Sequence, residues 1–411
     1  MRNVFGDRHF RKLFFSNLFS GFGQGMTMIG ISWYLVESTG TVGVLGSTML
    51  ISAILSLLIA PYVGTLIDRY SRKLMLQIEQ LGGFAILFFL AAWGLWAPYE
   101  EWMLVLLYLA TMFMFQLHEP AQAAFVQEIF EQKQYKAVNA ALEVENQTAL
   151  VLAGACAGLL LGQFGLHVVL LLNAFTYFLA FVTLSGIDYA YTPKRQAESA
   201  ARTSWWVLFS QSWVYIRKKP GFLIFGVSAL MPFIAVLLTN LLNPLFVSQV
   251  LREGVNIYSF GEVTYSIGAV AAGMWMGWLS QRFGAIAYMV FHFIWMAIAL
   301  VMTVAMPIGW VFVLLSAFLG WCNVSTRLIR QNLYMELLPN HLMGRVLSFF
   351  RAIGTLMRLL LLALFTFMLD STNAAAGYLV LAVLVMIAAA GSAVSMPTLL
   401  RQTAPRDTTS P

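Results

Sequence analysis

Long apolar runs separated by short polar intervals dominate this chain. A helix that crosses the hydrocarbon core of a bilayer needs about 20 mostly apolar residues. Runs of that length occur twelve times: over 10–36, 44–67, 73–96, 102–124, 140–164 and 166–189, then over 222–250, 258–279, 285–306, 308–328, 346–369 and 374–396. Strands do not compete, since barrel strands span about 10 residues and alternate in polarity. The pattern predicts an all-α membrane protein with twelve transmembrane helices in two six-helix bundles.

The longest polar interval, 192–219, separates the two sets. It predicts a first bundle over 1–189, a linker over 190–219 and a second bundle over 220–411. Within the linker Trp205, Trp206, Phe209, Trp213 and Ile216 recur at helical spacing ahead of Arg217, Lys218 and Lys219. That arrangement suits an amphipathic helix lying in the inner headgroup layer and tethering the halves.

Composition removes the soluble alternatives. Hydrophobic residues make up 60% of the 411 and charged residues only 10%, against roughly a quarter charged in ordinary globular domains. Such a chain cannot cover a water-facing surface, so its solvent is lipid. The net charge of +6, from 24 Lys+Arg against 18 Asp+Glu, fits basic loops facing anionic headgroups better than nucleic-acid binding. With the N-terminus cytoplasmic, the inner loops hold Arg69, Arg72, Lys73, Lys133, Lys136, Lys194, Arg195, Arg202, Lys218, Lys219, Arg282, Arg401 and Arg406, and the outer loops hold Arg252. Both termini are therefore expected inside. Cys156 and Cys322 lie in apolar runs, which excludes a disulfide framework or a Cys-based metal site. Arg2, Arg8, Arg11 and Lys12 precede an apolar run too long for a signal peptide, so no cleaved leader is expected.

The halves repeat. Gly64-Thr-Leu-Ile-Asp68-Arg69-Tyr70-Ser71 follows the second span, and Gly277-Trp-Leu-Ser-Gln281-Arg282-Phe283-Gly284 follows the eighth, an offset of 213 residues (277 less 64). Gln122–Ala141 aligns with Arg330–Phe349 at an offset of 208, Glu128 falling on Glu336. Two parallel six-helix repeats with sites near mid-membrane are how many secondary transporters are built.

These residues resemble the major facilitator superfamily. Gly64-x-x-x-Asp68-Arg69-x-x-Arg72-Lys73 is similar to its loop motif between helices two and three, with Ser71 where the family usually has glycine. Pro120-Ala-Gln-Ala-Ala with Ala137-Val-Asn139-Ala140, and Gly344-Arg345-Val346, resemble the drug- and siderophore-exporting branch, which includes macrolide efflux proteins and the enterobactin exporter. Antiporters of the superfamily often carry a Gly-Pro motif in helix five. Here Gly154, Gly158 and Gly162 keep the glycine spacing without the proline, and the three make one smooth face for close helix packing. The resemblance implies a gate in which Asp68 sits against the start of the eleventh helix, where an anion is favoured. Arg69, Arg72, Lys73 and Arg345 would complete it through headgroups or neighbouring carboxylates. The orientation rule by itself explains the basic residues, but not Gly64 and Asp68.

Ionisable residues inside spans cost free energy unless they face water or a partner. In the first half these are His118, Glu119, Glu143 and Glu145, and in the second Arg327, Arg330, Arg351 and Arg358. The 208-residue offset superposes Glu119 on Arg327 and Glu143 on Arg351. Those pairs, or the crossed ones, would close the inner mouth; the alternative is that each caps a helix end. Arg358 lies 14 residues beyond Gly344, about 21 Å along a helix. With Ser348, Arg351 and Thr355 it makes a polar stripe suited to gripping an anion; a snorkelling arginine is the plainer alternative. Glu119, Glu143, Glu145 and His118 are the groups that could carry a proton. Gln24, with Asn17, Ser20 and Thr27 on the first span, and Asn240 and Asn243, with Thr239 on the seventh, would line a cavity or pack helices together.

The expected function is secondary active transport by alternating access, exporting a small organic molecule across the inner cell membrane. The proton gradient would drive it, with no cofactor and no metal. A siderophore or similar polar anionic metabolite is the first substrate class, and a multidrug or macrolide-type pump the second. Uptake or lipid flipping shares the same fold, and a non-transporting membrane sensor is a further alternative. Expected partners are the small-molecule substrate and membrane lipids, not nucleic acid, with the chain acting as a monomer. No metal spacing, phosphate loop or nucleophile–base cluster marks an enzyme.

Overall fold

The computed structural model describes residues 4–40, 43–189, 213–214, 216–217, 219, 221–338 and 340–403. Among the described residues the regular structure is entirely helical. In chain order the helices are α1 (Arg8–Thr39), α2 (Gly43–Arg69), α3 (Arg72–Gly94), α4 (Glu101–Ile129), α5 (Tyr135–Phe164) and α6 (Leu166–Ser185). They continue with α7 (Phe222–Ser228), α8 (Met231–Leu245), α9 (Val255–Phe283), α10 (Ala285–Ala305), α11 (Gly309–Leu337), α12 (Asn340–Ser371) and α13 (Ala374–Thr403). Among the described residues ten helical stretches, with α7 and α8 counted as one, are long and apolar enough to cross a membrane. α1 and α9 match two further predicted spans in position and carry more polar residues.

Several boundaries follow from local chemistry. Asp7 caps α1 by accepting from the N–H groups of His9 (2.7 Å) and Phe10 (3.3 Å), satisfying donors that a helix start leaves open. Gly40 ends it at φ 63°, where a side chain would be strained. Gly165, at φ 77°, allows α5 to turn directly into α6. The predicted seventh span, 222–250, is not one helix: it breaks after α7, resumes as α8 and widens into a π-type turn over Phe246–Leu251 beyond Pro244. α5 and α12 begin several residues before the apolar runs that predicted them, at Tyr135 and Asn340. Helix hydrogen bonding continues through polar residues that hydropathy alone excludes.

The chain divides into two compact units, Met1–Arg195 with Asn243–Ser266, and Gln196–Leu242 with Ile267–Pro411. In the first unit α1 packs against α5, α6 and α4, α3 packs on α6 and α4, and α2 on α4. The α1–α6 seam is polar as well as tight. Asn173 Nδ2 donates to Thr27 Oγ1 at 2.6 Å and Ser16 Oγ to the Ala180 carbonyl at 2.9 Å. A Cβ on Gly23 would overlap the Asn173 and Thr176 side chains. The glycine face of α5 is a packing face. An added Cβ on Gly154 would lie 2.8 Å from Val263 Cγ2, and one on Gly158 2.8 Å from Ser259 Cβ. Trp33 of α1 stacks on Tyr258 with centroids 6.0 Å apart. Thus 243–266, expected with the second bundle, groups with the first unit.

In the second unit α10 packs on α13 and α11, and α7 on α13. His292 of α10 is buried, with Nδ1 2.7 Å from the Tyr288 carbonyl and Nε2 accepting from Trp321 Nε1 at 2.9 Å. Trp213 and Ile216, from the end of the linker, contrast in exposure: Trp213 is exposed beside Phe349 and Ile216 is buried. Trp205, Trp206, Phe209 and Lys218 lie outside the described residues.

α9 and α11 touch backbone to backbone, because a Cβ on Gly268 would overlap the Ala317 carbonyl oxygen. Gly268→Ala should therefore lower the unfolding temperature in detergent, at a cost on the order of 1–3 kcal/mol. Gly273→Ala on the same helix, where an added Cβ meets nothing within 4 Å, should be neutral or slightly stabilising. Equal melting temperatures for the two variants would contradict this close packing.

Candidate functional site: an acidic cavity on the first unit

A cavity of about 270 Å³ opens between α1, α4 and α5. From α1 it takes Asn17, Ser20, Gly21 and Gln24; from α4, Phe115, His118, Glu119 and Gln122; and from α5, Asn139, Glu143, Glu145 and Asn146. The helical period explains the set. Asn17, Gly21 and Gln24 follow at spacings of four and three, as do Phe115, Glu119 and Gln122, so each helix turns one polar stripe to the cavity.

Glu145 is 3% exposed, whereas Glu119 and Glu143 are open to solvent. Its Oε1 reaches α1 beside Gly21, where an added Cβ would lie 3.9 Å away. Glu143 Oε1 accepts from Gln147 Nε2 at 3.1 Å. His118 turns its Nδ1 away from the cavity to Glu79 Oε2 of α3, at 2.8 Å, and Glu79 is 2% exposed. Gln80 Nε2 also donates to Glu79 Oε2, at 3.4 Å. His118 further interacts electrostatically with Glu119 and Glu145. Glu119, Glu143 and Glu145 thus share one cavity with His118, whose own partner is the buried Glu79. Among the described residues no Lys or Arg lines the cavity. Nor does any group of three or more His, Cys, Asp or Glu converge closely enough to hold a metal ion.

Of the sequence candidates, Gln24, Glu119, Glu143 and Glu145 come together here. Gln24 also donates to the Thr111 carbonyl, at 3.5 Å. Asn243 is elsewhere in the first unit and donates to Glu262 Oε1 at 3.4 Å. Asn240, Arg327, Arg351 and Arg358 belong to the second unit. There Asn240 and Arg351 are exposed, and Arg327 and Arg358 half-buried. Arg330 donates to the Ala229 carbonyl at 2.8 Å, satisfying the oxygen freed by the α7–α8 break. Thr27 packs α1 on α6 rather than lining the cavity.

The loop motif has its own geometry. Arg72, at the start of α3, is buried and pairs with Glu128 Oε1 at 3.3 Å. Glu128 also accepts from the Tyr189 hydroxyl. Lys73 donates to the Ser185 and Ile187 carbonyls at 2.9 and 2.7 Å, and Lys12 to Gly186, so two cations cover the negative end of α6. Arg69 is exposed at the end of α2, and Arg345 is exposed on α12. Open space surrounds Gly64, so packing does not demand glycine there. The Asp68 side chain lies outside the described residues.

Sequence reasoning missed Glu79 and Glu262. Both carried the signal used for Glu119, an acid inside an apolar run; Glu79 lies six residues into the predicted third span (73–96).

The family model described as Major Facilitator Superfamily matches residues 13–261, more than half of the chain. The chain belongs to the major facilitator superfamily. It is accordingly a multi-pass membrane protein and a secondary transporter, not an enzyme. No curated protein matches it. Among solved structures it is similar to a bacterial homologue of the iron transporter ferroportin in an inward-facing state, at TM-score 0.67 and 15% identity, covering 97% of this chain and 99% of that one. It is also similar to a point mutant of the nucleoside transporter NupG, at TM-score 0.67 and 15% identity, covering 96% and 100%. An auto-inhibited POT family peptide transporter matches at TM-score 0.68 and 13% identity, covering 95% and 97%. At these identities the likeness is one of fold. The superfamily resemblance noted for the loop motif holds, and the fold is the major facilitator fold.

Removing one member of a largely buried ion pair leaves the other uncompensated. Arg72→Met should lower stability by about 2 kcal/mol, and the double variant Arg72→Met with Glu128→Gln should recover most of the loss. Thermal unfolding of the four proteins in detergent gives the coupling; additive losses would show that the pair contributes nothing.

Proposed function

We propose that this superfamily member exports a small organic molecule from the cytoplasm, driven by the proton gradient, as a monomer in the inner cell membrane with both termini cytoplasmic. The observation that carries this function is the convergence of Glu119, Glu143, Glu145 and His118 on one polar cavity. Coupling two fluxes requires a group that exchanges a proton where the transported molecule can sense its charge. Carboxylate and imidazole are the side chains suited to that exchange. The excess of Lys and Arg in the loops assigned to the cytoplasm supports the orientation. Because an ionisable group in a span costs free energy unless it has a use or a partner, so many on one wall support a transport role.

Within the superfamily, the segments Pro120–Ala140 and Gly344–Val346 support the drug- and siderophore-exporting branch. Arg327, Arg351 and Arg358 support a polar anionic metabolite such as a siderophore, because a guanidinium grips oxyanions with two parallel hydrogen bonds. A multidrug pump of the macrolide-efflux type is the second reading, favoured by Phe115, which exposes 48% of its surface at the cavity. The similar structures carry iron, nucleoside and peptide transporters in their names, a range too wide to favour one substrate.

Metabolite analysis of a strain lacking the gene tests this function. One compound should accumulate in the cytoplasm and disappear from the medium. Wild-type protein should restore secretion, and Glu145→Gln should not. Arg358→Ala should also fail if the cargo is anionic, whereas a lipophilic-drug pump would tolerate it. Unchanged secretion in the deletion strain would overturn export.

A further inference from the structure

Glu79 of α3 is 2% exposed and is not among the side chains that line the cavity. His118 of α4 does line it, and its Nδ1 lies 2.8 Å from Glu79 Oε2. Gln80 Nε2 donates to the same oxygen at 3.4 Å, so Oε2 serves as an acceptor and the proton on the short bond belongs to Nδ1. The bond that one ring nitrogen makes sets the tautomer of the imidazole. With Nδ1 holding its proton toward α3, the neutral ring keeps a lone pair on Nε2. The two nitrogens point to nearly opposite sides, so Nε2 points away from α3. The ring thus stands between an enclosed anion and the cavity.

That arrangement suits proton exchange at one atom. The cavity, of about 270 Å³, has room for several water molecules at about 30 Å³ each. A hydronium ion there gives its proton to the Nε2 lone pair and becomes water, and the ring becomes an imidazolium. A lone cation is costly inside a span, and the Glu79 carboxylate offsets that cost. The pair passes from one negative charge to none, and loss of the Nε2 proton reverses the step. The other titratable groups about the pair are Glu119 of the same helix, Glu145 of α5 and, facing Glu79, Tyr177 of α6. Glu143 of α5 lines the same cavity. α1 presents neutral Asn17, Ser20 and Gln24 to it, and α2 carries no titratable residue from Gly43 to Pro61.

We infer that His118 Nε2 is the atom that takes up and releases the transported proton, with Glu79 as the positioning residue that holds the ring and balances its charge. This proton site rests on the proton-driven transport proposed above and names the group within that cavity that carries the proton.

15N NMR of the full chain in detergent, labelled at its five histidines, reads the protonation of each ring nitrogen. His118→Gln identifies the His118 signals by their loss, and melting curves verify folding. Between about pH 10 and about pH 5, Nε2 should pass from unprotonated to protonated while Nδ1 stays protonated throughout. In Glu79→Leu the neutral ring should change to the Nε2–H form, which an unheld histidine favours. In the deletion strain, His118→Gln should fail to restore secretion. The proton site is overturned if the neutral wild-type ring is the Nε2–H form, or if Nε2 keeps one protonation state across that range. It is overturned equally if Glu79→Leu keeps the wild-type tautomer, or if His118→Gln secretes as well as wild type. The wild-type spectra decide the first two points even where a variant does not fold. Unchanged secretion in the deletion strain would sink export alone, since the spectra need neither a gradient nor a cargo.

Discussion

In lipid no water is at hand to satisfy a stray donor, acceptor or charge, so the chain must satisfy its own polar groups. That constraint organises the molecule more than any apolar contact does. Lys12 and Lys73 cover the last carbonyls of α6. Arg330 takes the carbonyl freed where α7 gives way to α8. Arg72, Glu128 and Tyr189 close on one another, and Asn173 meets Thr27 across the α1–α6 seam. Against so much internal satisfaction, the groups that lack partners stand out. The Asn17 amide nitrogen, enclosed without an acceptor, is one such group, and Glu145 is buried at a cavity that no Lys or Arg of the described residues lines.

Close approach of helices is the second requirement, since lipid offers little hydrophobic drive for helices to associate and contact must come from packing and polar bonds. Glycines supply it where backbones meet: Gly23 against α6, Gly154 and Gly158 against 256–263, Gly268 against α11. The cost is tolerance, because a methyl group at these points overlaps a neighbour. Gly21 and Gly25 of α1, where an added Cβ would lie 3.3 and 2.7 Å from the Ala149 and Ala153 side chains, let α1 come close enough to α5 for both to line one small space.

Much of this was legible in the chain. Twelve apolar runs became helical stretches at nearly the expected places, since a run of about 20 apolar residues has few alternatives to a spanning helix. Gln24, Glu119, Glu143 and Glu145 were recognisable because an acid or amide in an apolar helix is costly and therefore informative. Glu79 and Glu262 carried the same signal and were passed over. The interruption at Ala229–Leu230 was passed over because hydropathy runs through it, although Pro232 in the first turn of α8 marks it: a proline has no N–H to give and favours a helix start. The packing of 243–266 with α1 and α5 depends on contacts between stretches about a hundred or more positions apart, which local hydropathy does not record.

By itself the sequence determined the solvent, the helical class and the superfamily, because each is written in local composition and short motifs. Only the tertiary structure decided which polar residues work together. The helical period places Glu145 on one side of α5 and Asn17 on one side of α1, but says nothing about whether those sides meet. Their meeting depends on helices brought close by glycines and by hydrogen bonds across distant segments. Whether a buried carboxylate is paired, as Glu79 is with His118, is a matter of distances between side chains. Those distances exist only after the chain has folded.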